Sequence, residues 1–311
     1  MAIGGPFGPP IRVAPGPTYP GRVAPSLLDL GLMLLLGVGA GWLGALVGIG
    51  GGVVIVPALT LGLGVDIRHA VAASLVAVIA TSTSAGSVYL GRGLTNMRLG
   101  MTLEVATSLG GMTGGLVAAV LPVDVIAGLF SVVMGVTAVL VIRGAGHPVA
   151  RRVDPAGSDE GGWEEPGALA GTFFDPTRGG LVHYRARRLW VGSGVSLVAG
   201  SVSGLLGVGG GFLKVPAMNL GMDVPVKVAA ATSNFMIGVT AAASVFIYFQ
   251  RGFVEPLVAV PVALGVVGGS LAATRLSGAT PAPVVKRILA VVLVAVAAQM
   301  GLRALGVGFN G

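Results

Sequence analysis

No cysteine occurs among the 311 residues. A disulfide framework, a thiolate metal site, a thiolate-held iron–sulfur cluster and a nucleophilic Cys are therefore excluded. Charge is nearly as scarce: Asp, Glu, Lys and Arg make up 10% of the chain, against roughly 25% in soluble proteins. Aromatic residues are 5%, and there are three histidines. Apolar residues fill the space, at 54% of the chain and a mean hydropathy of +0.91. Too few polar groups remain to solvate a globule of this size, which excludes an ordinary soluble enzyme. Disorder of most of the chain is excluded too, because disorder needs low hydrophobicity. Glycine, 54 residues without a collagen period, suits membrane helices, where small residues let backbones approach closely.

The net charge of +7 would suggest nucleic acid in a soluble protein. Here the basic residues stand between apolar runs, so loops beside membrane spans explain them and no nucleic-acid partner is expected. A span needs about 20 mostly apolar residues. Eight are expected, over 26–47, 70–90, 99–121, 123–142, 189–206, 228–249, 255–276 and 284–303. The fold class expected is an all-α polytopic membrane protein, with the lipid bilayer as its surroundings. Residues 1–25 carry seven prolines, from Pro6 to Pro25, and read as a Pro-rich tail. Residues 26–142 and 189–311 form two membrane halves. Residues 143–188, with seven Arg and six acids, form the linker between them. With eight crossings, the Lys/Arg bias places the tail, the linker and both termini in the cytoplasm; full crossing by each Gly-rich stretch would give ten spans and put the Arg-rich linker outside, which the charge bias disfavours.

The halves match without a gap at an offset of 159. GIGGGVVIVPA at 48–58 pairs with GVGGGFLKVPA at 207–217, and 17 of 46 positions are identical over 48–93. A duplicated unit of four spans predicts halves that run parallel, with the Gly-rich stretches 48–63 and 207–221 broken or re-entrant. Gly50, Gly51 and Gly52 are consecutive, as are Gly209, Gly210 and Gly211. A triple glycine favours a helix break. Uncovered backbone at membrane depth is tolerated only in a protein interior or along a cavity. A helix starting just after each break aims its N–H groups back at it, and helix N-termini attract anions. Two such breaks at corresponding positions mark a substrate site near mid-membrane. Val53 and Phe212 stand where a dinucleotide fingerprint needs its last glycine, and no G-K-[ST] follows, so these are not nucleotide loops.

The paired motifs, each followed by an A-x-S element (Ala72–Ser74 and Ala231–Ser233), resemble the TauE/SafE-type sulfite exporters, the TSUP group of membrane permeases. The resemblance covers nearly all of both halves. It implies a bacterial inner-membrane permease of about eight spans moving a small sulfur-containing or organic anion, such as sulfite or a sulfonate. No cofactor is expected, and the coupling ion would be a proton or sodium.

The substrate-binding candidates are the six glycines together with Ser74, Lys214, Thr232, Ser233 and Asn234. Ionisable residues inside spans are functional candidates by default. Lys214 suits pairing with an anion or a carboxylate, and snorkelling to an interface is the plainer alternative. Glu104 is a candidate coupling carboxylate or a partner for Lys214. Its repeat mate is Ala263, so the halves are chemically unequal. Tyr89 and Tyr248 are expected to anchor at an interface, His69, His147 and His183 to be solvated, and Asp66, Asp124 and Asp223 to cap helices. Small residues four apart (Gly37/Gly41, Gly110/Gly114, Gly111/Gly115, Gly265/Gly269) predict packing faces, within the chain or in a homodimer. An anion channel of the same architecture and a structural membrane subunit are the rival readings. No catalytic constellation stands in the spans, so an enzyme is not expected.

Overall fold

The structure, a computed structural model, describes residues 25–142, 169–175, 180–276 and 282–306. Most of the Pro-rich tail, linker residues 143–168 and His147 lie outside the described residues. The chain is helical, with α1 (Leu27–Val47), α2 (Gly52–Pro57), α3 (Ile67–Gly91), α4 (Met97–Val120), α5 (Val123–Ile142), α6 (Leu189–Leu206), α7 (Gly211–Pro216), α8 (Val226–Gln250), α9 (Pro256–Leu276) and α10 (Ala282–Ala304). All eight expected spans are helices, and the polytopic all-α expectation holds. Seven of them are long and apolar enough to cross a bilayer. The remaining one, α5, has an apolar part, Val123–Val139, that is shorter. Its 20 residues still extend about 30 Å, the hydrocarbon thickness.

The same elements recur 159 positions apart. Helix α2 corresponds to α7, and α3 to α8, residue for residue. Both short helices end on a proline, Pro57 or Pro216, and pass into a π-helical turn, Ala58–Gly62 or Ala217–Gly221. Proline has no N–H for the regular ladder, which favours such a local rearrangement.

Helix directions follow from the close contacts. Gly37 faces Val262 and Gly41 faces Val266, so α1 and α9 run the same way. Arg92 at the end of α3 donates to Thr274 near the end of α9, and Ser84 meets Ser270, so α3 runs with them. Gly110 and Gly114 face Leu197 and Ser201, which makes α4 and α6 parallel, and Gly100, Gly111 and Gly115 follow α8 in the same sense. The short connectors 92–96 and 251–255 make the two sets antiparallel. Helices α1 and α3 thus share a direction although they are consecutive long helices, so 48–66 must carry the chain back across. Segment 207–225 does the same between α6 and α8.

This corrects two expectations. The Gly-rich segments are broken helices that cross, not loops that re-enter, and the halves are therefore inverted rather than parallel. In addition, α1 begins and α10 ends at one end of the bundle, while α5 ends and α6 begins at the other. The tail and the linker cannot then both be cytoplasmic. Charge counting missed this because it took the two short crossings as returns.

Each half reaches into the other, since α1 packs along α9, α6 along α4, and α3 against α8 at the centre. The glycine stripes make this possible. A Cβ on Gly114 would lie 2.0 Å from the Ser201 carbonyl, and one on Gly269 2.0 Å from that of Val38. These stripes are consumed inside the chain, so they give no support to a homodimer. Tyr89 and Tyr248 are not interface anchors. The Tyr89 hydroxyl donates to the Ala45 carbonyl (3.1 Å) and that of Tyr248 to the Gly204 carbonyl (3.0 Å). They tie equivalent helix ends together. His69 is buried, not solvated, with its ring edge-on to Phe253 at 5.7 Å; His183 is exposed. Asp66 caps α3 as expected, accepting from the Arg68 N–H, whereas the N-cap of α8 is Pro225 rather than Asp223.

The described part of the linker adds an element missing from the all-α expectation, an antiparallel hairpin of β1 (Ala170–Asp175) and β2 (Gly180–Arg185). Its signal was present: two runs with β-branched and aromatic residues flank the Pro- and Gly-containing sequence 176–179. Phe173, Val182 and Ala186 bury against Leu99, Met218, Met222 and Val228. Asn96 donates to the Tyr184 hydroxyl (3.0 Å), and burial pushes that phenol above its ordinary range, which keeps it neutral.

Candidate functional site

The two triple-glycine breaks meet at the centre of the bundle. Gly50 and Gly51 hold φ of +87° and +78°, and Gly209 and Gly210 hold +83° and +67°. Only glycine takes this left-handed region without strain. The loops interlock. A Cβ on Gly52 would stand 2.1 Å from the Gly207 carbonyl oxygen, and one on Gly211 2.2 Å from that of Gly48. Val78 and Ile237, near the midpoints of α3 and α8, flank Gly50 and Gly209. Helices α2 and α7 therefore both start near mid-bundle and lead away from it toward opposite faces. Neither start, at Gly51 or at Gly210, is capped by a side chain.

Polar side chains gather around this crossing, unequally in the two halves. Ser74 donates to the Gly207 carbonyl at 2.7 Å and so braces the opposite loop. Its repeat mate Ser233 is fully buried, its hydroxyl has no partner, and it lies 3.1 Å from where a Cβ on Gly211 would stand. Asn234 is 1% exposed, and both its amide oxygen and its amide nitrogen are without partners. Leaving such groups unpaired costs about 1–3 kcal/mol each. A partner absent from the protein itself, a ligand or water, is what such a cluster accommodates. Thr232 points elsewhere, its hydroxyl accepting from the Asn96 N–H at the start of α4 (3.0 Å).

Lys214 and Glu104 are brought together through a residue that sequence reasoning did not select. The Lys214 ammonium donates to the Thr240 hydroxyl (3.2 Å), and Thr240 Oγ1 donates to Glu104 Oε1 (2.7 Å). Ser108 donates to the same carboxylate oxygen (2.9 Å). Lys214 is 1% and Glu104 6% exposed. This rules out snorkelling, since the ammonium ends inside the bundle. Glu104 Oε2 is buried without a partner. No linear spacing joins positions 104, 214 and 240. The one available signal was the repeat mate Thr81, which stands beside the first break and reaches toward the Gly50 carbonyl at 3.4 Å. The first half has Ile55 where the second has Lys214, and the second has Ala263 where the first has Glu104, so the pair is shared between the halves and has no repeat-related copy.

Chemically, the centre offers uncapped helix starts, a free hydroxyl and a free amide, and beside them a buried Lys214 and Glu104 bridged by the Thr240 hydroxyl. That set suits binding of a small polar anion and movement of a proton. No solved structure matches the chain. A relative described as "Probable membrane transporter protein YunE", from Bacillus subtilis (strain 168), is 27% identical over 279 residues, covering 86% of this chain and 96% of the relative. The model of the family described as "Sulfite exporter TauE/SafE" matches residues 33–300. With both breaks, both flanking polar clusters and all eight long helices inside or overlapping that match, the chain belongs to the TauE/SafE sulfite exporter family of membrane transporters.

Proposed function

We propose that this chain is a secondary transporter for a small anion, a sulfur oxyanion or a sulfonate, bound where the two glycine breaks cross. The observation that carries this reading is the group of buried, unpartnered polar atoms of the neighbouring Ser233 and Asn234 on α8, with Ser233 set against Gly211 at the uncapped start of α7. Backbone N–H groups hold the anionic head there, and the hydroxyl and amide refine the fit without adding a fixed charge. Inverted halves around a central site support alternating access by rocking of one half against the other.

Purified protein tested by thermal shift against sulfite, sulfate, sulfoacetate, methanesulfonate, taurine and acetate is expected to be stabilised selectively by sulfur anions. A ligand at 100-fold its Kd adds about 2.7 kcal/mol. No stabilisation by any of them would sink the reading.

The orientation we infer places the linker face in the cytoplasm of a bacterial inner membrane and both termini outside. Among the described residues that face carries Arg92, Arg98, Arg185, Arg187, Arg188, Lys227, Arg275 and Arg287, against Arg68, Arg251 and Arg303 on the other. The positive-inside bias supports this assignment. Because the chain has no cysteine, single cysteines report sidedness cleanly. Gly91→Cys is expected to react with a membrane-impermeant maleimide only after the cells are opened, and Leu305→Cys in intact cells. The reverse pattern would invert the orientation.

A further inference from the structure

We infer that Glu104, Thr240 and Lys214 form a one-proton coupling site, so that a monoanion enters the centre together with a single proton and the loaded site is electrically neutral. The inference rests on the anion reading above and deepens it by naming the coupling ion and its stoichiometry.

The argument starts from charge. Lys214 and Glu104 are both buried, at 1% and 6% exposure, and lie beside the breaks, since Lys214 is one helical turn past Gly211. Without substrate, carboxylate and ammonium cancel. A bound monoanion alone would leave one net negative charge near the membrane midplane, where an uncompensated charge is expensive. One proton restores neutrality. It is taken from the aqueous side and bonds to Glu104 Oε2, the carboxylate oxygen that has no partner. The neutral carboxyl then no longer needs the ammonium, and Lys214 becomes the counter-ion of the anion. On release the O–H bond breaks, the proton leaves with the anion, and Thr240 again bridges the two ions.

Among the described residues of α4, α6, α7 and α8, no other group performs this task. Helix α4 carries only Arg98 besides Glu104, and Arg98 is exposed. Helix α6 has no ionisable residue, and α7 has only Lys214. Helix α8 adds Lys227, exposed at its start, and Tyr248, whose hydroxyl is committed to Gly204. Sodium fits less well. The carboxylate's partners in the site are the donors Thr240 and Ser108, with an ammonium already in the cation's place. The repeat-related positions, Ile55 in the first half and Ala263 in the second, cannot ionise, which makes the count one proton per chain.

The test is anion binding to the purified full chain by calorimetry, with methanesulfonate as probe because its single charge does not titrate. Sulfite is the second probe, with its own proton subtracted. Between about pH 5 and about pH 8, affinity in the wild type is expected to weaken by up to about tenfold per pH unit, with one proton taken up per anion. Sodium should leave the affinity unchanged. Glu104→Gln, which mimics the protonated carboxyl, is expected to bind the anion with no pH dependence and no proton uptake. Lys214→Met is expected to lose binding in protein that still runs as a single monodisperse species. Wild-type binding that is flat with pH, or strengthened by sodium, overturns the coupling proposal and leaves the anion site standing. The wild-type slope decides this even if a variant fails to fold. No binding of either probe overturns the anion reading, and the coupling proposal with it.

Discussion

Valine at Gly210 or Gly211 is expected to abolish anion binding and to lower the melting temperature strongly, whereas alanine at Gly86 does neither. At Gly211 a Cβ would sit 2.2 Å from the Gly48 carbonyl oxygen, and at Gly210 2.6 Å from that of Ala199. Both neighbours are backbone, so relief requires a loop or helix to move. Gly210 also holds φ of +67°, where a β-branched side chain is strained. Overpacking costs about 1–3 kcal/mol, and the left-handed conformation adds about 1–2 kcal/mol. Gly51→Val and Gly52→Val are expected to behave alike from the other half, as a Cβ on Gly52 would stand 2.1 Å from the Gly207 carbonyl oxygen. Gly86 has no atom within 4 Å of its Cβ position, so Gly86→Ala controls for loss of glycine as such. The measurements are thermal melting and methanesulfonate binding on folded protein. Wild-type affinity in both Gly51→Val and Gly210→Val would show that the breaks do not build the site.

The second large effect concerns the buried ions. Lys214→Met leaves Glu104 with only the hydroxyls of Thr240 and Ser108. Removing one partner of a buried pair costs about 3–5 kcal/mol, because the other charge remains without compensation. Glu104→Leu should destabilise similarly by leaving the ammonium alone with Thr240. Combining the two changes is expected to recover most of the lost stability, since an apolar replacement of the whole pair removes the desolvation cost. Transport should stay abolished in the double variant. A double-mutant cycle on melting data reads this directly. Single variants as stable as the wild type would mean that the two residues are not held as ions, and simple additivity of their losses would mean that they do not interact.

Recovery of stability without recovery of transport would separate what folds the protein from what it does. A buried Lys–Glu pair that stabilises less than apolar packing, and has no counterpart at the repeat-related positions Ile55 and Ala263, is retained for a task. The first half shows the alternative: Ile55 fills the place of Lys214, and Thr81 turns toward a backbone carbonyl instead.

Apolar runs of about 20 residues separated by short polar turns dictated the eight long helices and nearly their ends. In hydrocarbon the backbone must satisfy itself within each segment, which makes such runs legible one at a time. The triple glycines announced both breaks for the same local reason. Registers at an offset of 159 announced the equivalent elements. Direction was different. Whether 48–66 returned or crossed depended on which long helices lie side by side, and that is written in contacts such as Gly41 with Val266 and Gly114 with Ser201. Composition cannot count a crossing made of a six-residue helix and a π-helical turn, so the inversion of the halves was decided only by packing. The fates of the polar residues were settled the same way. Ser74 and Ser233 hold the same place in the repeat, yet one braces a carbonyl and the other is left free. Glu104 and Lys214 stood out singly because charge is rare in a span, and Thr240 could join them only once α4, α7 and α8 had come together. The sequence by itself determined segments, breaks and candidate charges, each a local property of the chain. Tertiary structure alone decided which of them face one another, because that depends on helix direction and close glycine contact.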